Sequence, residues 1–98
     1  MDELTNQEVD CLLRYLGDLY RKCLVKKELD TNKEQFIKYV DNGLAVLATS
    51  QSMLLRKTYF EVSDKKWWMQ FYSKTTYYRE REKASRTFLR CVMWKNMV

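Results

Sequence analysis

With 98 residues, 46% of them hydrophobic and 32% charged, the chain suits one globular domain and excludes both a disordered tail and a pair of separate cores. It has no proline and only two glycines, Gly17 and Gly43, which excludes an all-β fold needing turn residues every ten positions or so. The net charge of +5 is uneven: residues 1–55 carry seven Lys/Arg against nine Asp/Glu, and residues 56–98 carry eleven against four, so one end suits a polyanion and the other suits packing or pairing.

The opening MDELTNQEVD is acidic and polar, unlike a signal peptide. Thr5-Asn6-Gln7-Glu8 is a capping-box pattern that starts a first helix. Val9, Leu12, Leu13, Leu16, Tyr20, Cys23 and Leu24 recur at helical spacing and form its apolar stripe. Cys11 points away from the stripe, and Gly17 at its edge allows another helix to come close. This helix fades near Lys26-Lys27, where cations suit a C-terminus.

Thr31-Asn32-Lys33-Glu34 repeats the capping box and opens a second helix with Phe36, Ile37 and Val40. Asp41-Asn42-Gly43 is one place for it to stop, and running on through Gly43 to about Leu47 is the other, since an internal glycine costs only about 1 kcal/mol. A third helix is expected over roughly 50–61, with Met53, Leu54, Tyr59 and Phe60 inward. Ser63-Asp64 then starts a short fourth helix, 64–71, followed by a tight turn at Tyr72-Ser73. Ser73 caps a long fifth helix over about 74–94. The expected architecture is all-α, a small bundle of about five helices in a single domain, with 5–47 as support or dimerisation part and 48–95 as the functional part.

On a wheel of about 100° per residue the last helix sorts cleanly. Tyr77, Ala84, Phe88, Cys91 and Val92 form an inner stripe, while Thr75, Arg79, Glu82, Arg86 and Arg90 fall opposite, flanked by Thr76, Tyr78 and Lys83. The aromatic stretch WWMQFYSKTTYYRERE, residues 67–82, therefore divides: Phe71, Tyr77 and at least one of Trp67 and Trp68 are wanted for the core, and Tyr78 looks outward. A stacking platform for single strands needs several rings on one exposed surface, which the wheel does not offer. A short helix, a tight turn and a helix opening Ser-Lys-Thr-Thr have the pattern of a helix-turn-helix, whose second helix enters the major groove.

Ser73-Lys74-Thr75-Thr76-Tyr77-Tyr78-Arg79, with Lys83-Ala84 and Phe88-Leu89 following, resembles the recognition-helix segment of region four of bacterial sigma factors, and looks closest to small phage and plasmid regulators of the ArpU type. Residues 44–71 are similar to the two preceding helices of such a domain. The turn lacks that family's usual glycine, and Trp68 stands where a small residue is common. By this resemblance Lys74, Thr75, Thr76, Tyr78 and Arg79 occupy base-reading positions, Lys83 and Arg86 lie nearer the DNA backbone, and Ser63, Lys65 and Lys66 contact phosphate.

Duplex DNA is thus the expected partner and transcriptional control the expected role. Dimerisation through the first helix would pair half-sites. The rival is an adaptor that docks on RNA polymerase or another regulator through the same basic helix, and a third reading is a single-strand or RNA binder. A plain solvated helix face, with Glu80 and Glu82 as ion-pair partners, is the least demanding reading of Arg79, Lys83 and Arg86. Three cysteines without CxxC spacing and no histidine argue against disulfides and a metal site, fit a reducing cytoplasm, and leave no catalytic constellation and no cofactor. The run LAVLATSQSMLL is too short and polar to span a bilayer.

Overall fold

The structure, a computed structural model, describes residues 4–25 and 31–96, with 93–96 as backbone only. All regular structure among these residues is helical. Helix α1 runs Asn6–Val25, α2 Thr31–Ala45, α3 Thr49–Leu55 and α4 Lys74–Asn96. Helix α3 continues into a wide π turn, Arg56–Phe60, and a single 3-10 turn, Trp67–Gln70, precedes α4. The expected stop at Lys26-Lys27 lies outside the described residues, as does the side chain of Trp94.

The first capping box forms as read: the Thr5 amide donates to the Glu8 carboxylate at 2.8 Å and the Glu8 amide to the Thr5 hydroxyl at 3.1 Å. Val9, Leu13, Gly17 and Tyr20 are the buried positions of α1. Leu12 and Leu24, assigned to the stripe from periodicity, are 38% and 53% exposed. Gly17 makes the close approach expected of it, a Cβ there lying 2.8 Å from the Tyr59 carbonyl carbon. Of the two ends open to the second helix, the chain takes the continuation, with α2 passing through Gly43 to Ala45. Gly43 is buried, and a Cβ there would lie 2.8 Å from Val92 and 2.9 Å from Phe88.

The core is built on Leu13, Val40, Leu44, Leu54, Leu55, Phe60 and Phe88, each essentially inaccessible to solvent. Phe60 sits between Tyr20 edge-on at 5.5 Å and Phe88 at 5.6 Å, favourable aromatic geometries. The π turn makes this possible. Five residues of ordinary helix would rotate Leu55 and Phe60 about 140° apart. The wider turn, closed by the Glu61 amide donating to the Arg56 carbonyl at 2.7 Å, brings both inward. Met53, expected inside, is 41% exposed.

The expected fourth helix, 64–71, does not form. The Asp64 carboxylate accepts from the Lys66 amide at 2.9 Å, two residues on, closing a local turn instead of capping a helix. The Trp67 and Met69 amides then donate to carbonyls three residues back, and the segment amounts to one 3-10 turn. Among the described residues four α-helices stand where five were expected, and the segment expected to open a helix-turn-helix is a loop with one 3-10 turn. Phe71, assigned to the core, is 64% exposed, and Trp67 and Trp68 are half-buried.

Candidate nucleic-acid interface

Helix α4 opens as its sequence demands. The Ser73 hydroxyl accepts from the Thr76 amide at 3.2 Å and bonds the Thr76 hydroxyl at 2.9 Å, so Ser73 is the N-cap and the Thr76 hydroxyl is engaged in that cap. Beyond it, Lys74, Thr75, Tyr78, Arg79 and Lys83 are exposed. Arg79 makes one long contact with Glu80 at 3.7 Å and is 59% exposed, which ties it only weakly. Ser63, Lys65 and Lys66 are exposed on the loop before the 3-10 turn, not at a helix N-terminus. Among the described residues Lys65, Lys66, Lys74 and Lys83 meet no carboxylate.

Arg86 has a different position. Its Nη2 donates to the Leu4 carbonyl at 2.9 Å and to Asn6 Oδ1 at 2.7 Å, and its Nε donates to Glu82 at 3.2 Å. The guanidinium fork is thus used in holding the N-terminal strand of chain to α4. Arg86 stands apart from the exposed basic group of the first turns.

The loop and α4 meet at a cleft of about 300 Å³, lined by Arg14 of α1, Lys57 and Thr58 of the π turn, Glu61, Ser63, Asp64 and Lys65 of the loop, the rings of Trp67, Trp68, Tyr77 and Tyr78, and Arg81. The rings are mutually braced. Trp68 lies flat on Tyr77, centroids 4.5 Å apart and planes 5° from parallel, while Trp67 stands edge-on to Tyr77 at 6.1 Å. The Trp68 indole N–H donates to the Lys65 carbonyl at 3.1 Å, fixing the loop to the stack. Arg81 lies over Tyr78 at 4.6 Å and over Tyr77 at 5.5 Å, and Lys57 over Trp67 at 5.6 Å.

Behind the cleft, Asp10 joins three elements. It accepts from Arg14 at 2.8 Å and from the Tyr59 hydroxyl at 2.7 Å, and Arg81 lies 3.9 Å away. Partial burial pushes the Asp10 carboxyl up, but these hydrogen bonds and the two guanidinium charges outweigh it and hold the carboxyl below its ordinary value. Tyr59 is pushed far above the ordinary phenol value, first by burial and then by the carboxylate it bonds.

The structure therefore brings Ser63, Lys65 and Tyr78 to one cleft, sets Lys74, Thr75, Arg79 and Lys83 on the exposed turns of α4, and leaves Arg86 in its clasp. Sequence reasoning missed Arg14, Lys57, Arg81 and the paired tryptophans. Arg81 carried a signal, since it follows Tyr77 by four and Tyr78 by three, the spacing of helix neighbours. Arg14 and Lys57 carried none, because only tertiary packing places them there. Among the described residues no cluster of three or more His, Cys, Asp or Glu is placed to hold a metal ion. Nor is any helix among them long and apolar enough to cross a membrane. Comparison with protein-family models, with curated proteins and with solved structures gives no match.

Proposed function

We propose that the chain binds duplex DNA and regulates transcription, with the first turns of α4 as the reading helix and the loop 61–66 on the phosphates. One observation carries this reading: Lys74, Thr75, Tyr78, Arg79 and Lys83 stand exposed on the opening turns of one long helix, beside Lys65 and Lys66, with the lysines unpaired among the described residues. Those residue types suit the task, since arginine can fork onto guanine, threonine can meet a thymine methyl and lysine can neutralise phosphate. The 3-10 turn stands where a helix-turn-helix has its positioning helix, so α4 is steadied by α3 and by the aromatic stack instead.

Two copies would pair through α1. Its outward row Glu8, Leu12, Tyr15, Leu19 and Lys22 is nearly palindromic, with Leu12 38% and Tyr15 63% exposed. Antiparallel pairing about Tyr15 sets Glu8 of one copy opposite Lys22 of the second, a self-complementary two-fold contact.

The test is selection from a randomised duplex pool at low salt, followed by gel retardation. Arg79→Ala is expected to weaken the selected sequence about tenfold more than random duplex, the scale of one bidentate base contact. The absence of any retarded duplex would sink the reading. The rival reading, an adaptor docking on RNA polymerase or another regulator, has its own support in Val62, Met69 and Phe71, which are 94%, 58% and 64% exposed beside the same helix. Co-purification of polymerase without DNA affinity, lost with Phe71→Asp, would favour it.

A further inference from the structure

The cleft between the loop and α4 has a chemistry that the exposed face of α4 lacks. Four elements send cations to it: Arg14 from α1, Lys57 from the π turn, Lys65 from the loop and Arg81 from α4. Against them stand Glu61 and Asp64 in the lining and Asp10 behind it, which bonds Arg14 and lies 3.9 Å from Arg81. Four cations thus face three carboxylates, and one positive charge is in excess. Lys57 and Lys65 meet no carboxylate among the described residues, and Lys57 lies over the Trp67 ring at 5.6 Å.

Hydrogen-bond donors are also available. The Thr58 and Tyr77 hydroxyls lie 3.0 Å apart and either can donate, so one of the two keeps its proton for another acceptor. The Trp67 indole N–H is buried with no acceptor among the described residues, unusual for a group that mostly finds one when buried. The aromatic wall is rigid, because Trp68 is fixed at its nitrogen by Lys65 and over its face by Tyr77. A volume of about 300 Å³ admits one small ligand and no more.

We infer that this cleft receives a single unpaired nucleotide, its base against the Trp67, Trp68 and Tyr78 side and its phosphate between Lys57, Lys65 and Arg81. An anion without a ring would leave the aromatic wall unused, and a neutral aromatic would leave the cations uncompensated. A nucleotide satisfies both, by stacking and by charge. The inference rests on the DNA-binding reading, because Ser63, Lys65 and Tyr78 belong both to the cleft and to the proposed DNA contacts. It adds that the protein prefers DNA carrying an unpaired base to fully paired duplex.

The full chain is titrated, with tryptophan emission as readout, against a blunt duplex, the same duplex bearing one unpaired 5′-phosphorylated nucleotide, and adenosine monophosphate. The unpaired nucleotide is expected to tighten binding about tenfold and to quench emission, as one base stacked on aromatic rings does. Lys57→Ala should abolish that advantage, leave blunt-duplex affinity within about twofold, and be rescued by Lys57→Arg. Equal affinity for the two duplexes, unchanged by Lys57→Ala, overturns the cleft and leaves the duplex reading standing. If neither duplex binds, the duplex reading fails and the monophosphate decides the cleft alone: quenching lost in Lys57→Ala supports it, and no quenching overturns it.

Discussion

Gly17 of α1 lies directly against the backbone of Tyr59, whose carbonyl carbon is 2.8 Å from where a Cβ on residue 17 would stand. The Tyr59 carbonyl ends the α3–π segment, where helix carbonyls lack partners, and Arg21, one turn along α1, donates to it. A glycine and an arginine four residues apart thus seat one helix end on another. Gly17→Ala meets backbone that no rotamer change can clear. It should cost about 2–3 kcal/mol, even after a gain of about 1 kcal/mol in helix propensity. Gly43→Ala meets only the side chains of Val92 and Phe88 and should cost less than half as much. Thermal denaturation of the two variants checks the order; equal losses would contradict it.

Asp10 gives stability a pH dependence of known sign. Its carboxyl is held below its ordinary value of 3.8, so its contribution is fully present above that value and is lost as the pH falls through the lower folded value. Asp10→Asn should flatten this acid limb of a stability–pH curve. Asp10→Ala also leaves the buried Tyr59 hydroxyl unpaired, at about 1–3 kcal/mol near neutrality. Tyr59 acts at the other end. A phenol raised in the fold supports stability below its ordinary value near 10 and loses that support as the pH rises past it. Tyr59→Phe should therefore shallow the alkaline limb. Denaturant midpoints measured from pH 2 to 11 would show both limbs.

Arg86 should behave as a structural residue. Its fork bonds Leu4, Asn6 and Glu82 at once, so Arg86→Ala should cost about 2 kcal/mol, as charge-assisted bonds to the backbone and a side-chain amide are lost. Arg86→Lys, with no planar fork, should recover little of it. Lys83→Ala, on an exposed position with no partner among the described residues, should stay within about 0.5 kcal/mol. A midpoint for Arg86→Ala equal to that of Lys83→Ala would refute the clasp.

What the sequence revealed followed from local physics. The cap at Thr5, the cap at Ser73 and the inward stripe of α4 all depend on residues within a few turns of one another; the caps form, and Tyr77, Ala84, Phe88 and Val92 are buried with Cys91 half-buried beside them. The misses lie where distant chain decides. The close approach at Gly17 was legible, but not that Leu12 and Leu24 would stay exposed beside it, and nothing near Leu55 announces a π turn. The loop 61–73 was misread because Ser63-Asp64 has the composition of a cap but makes a turn. At least one of Trp67 and Trp68 was expected at the core, and both pack against it while half-buried as the wall of a basic cleft.

The salt dependence of DNA binding separates the exposed lysines from the clasp. Each phosphate neutralised by a cation releases condensed counterions, so losing one contact lowers the slope of log affinity against log salt by about 0.9. Lys65→Ala and Lys74→Ala, both at exposed positions without carboxylate partners among the described residues, should each lower the slope by about that amount, and the double variant by about twice it. Arg86→Ala should leave the slope unchanged at a temperature where the variant is folded, because its guanidinium is held by Leu4, Asn6 and Glu82. Fluorescence anisotropy with the selected duplex from low to moderate salt gives all four slopes. A drop for Arg86→Ala with none for Lys65→Ala and Lys74→Ala would place the DNA backbone on the far side of α4 and overturn the proposed footprint.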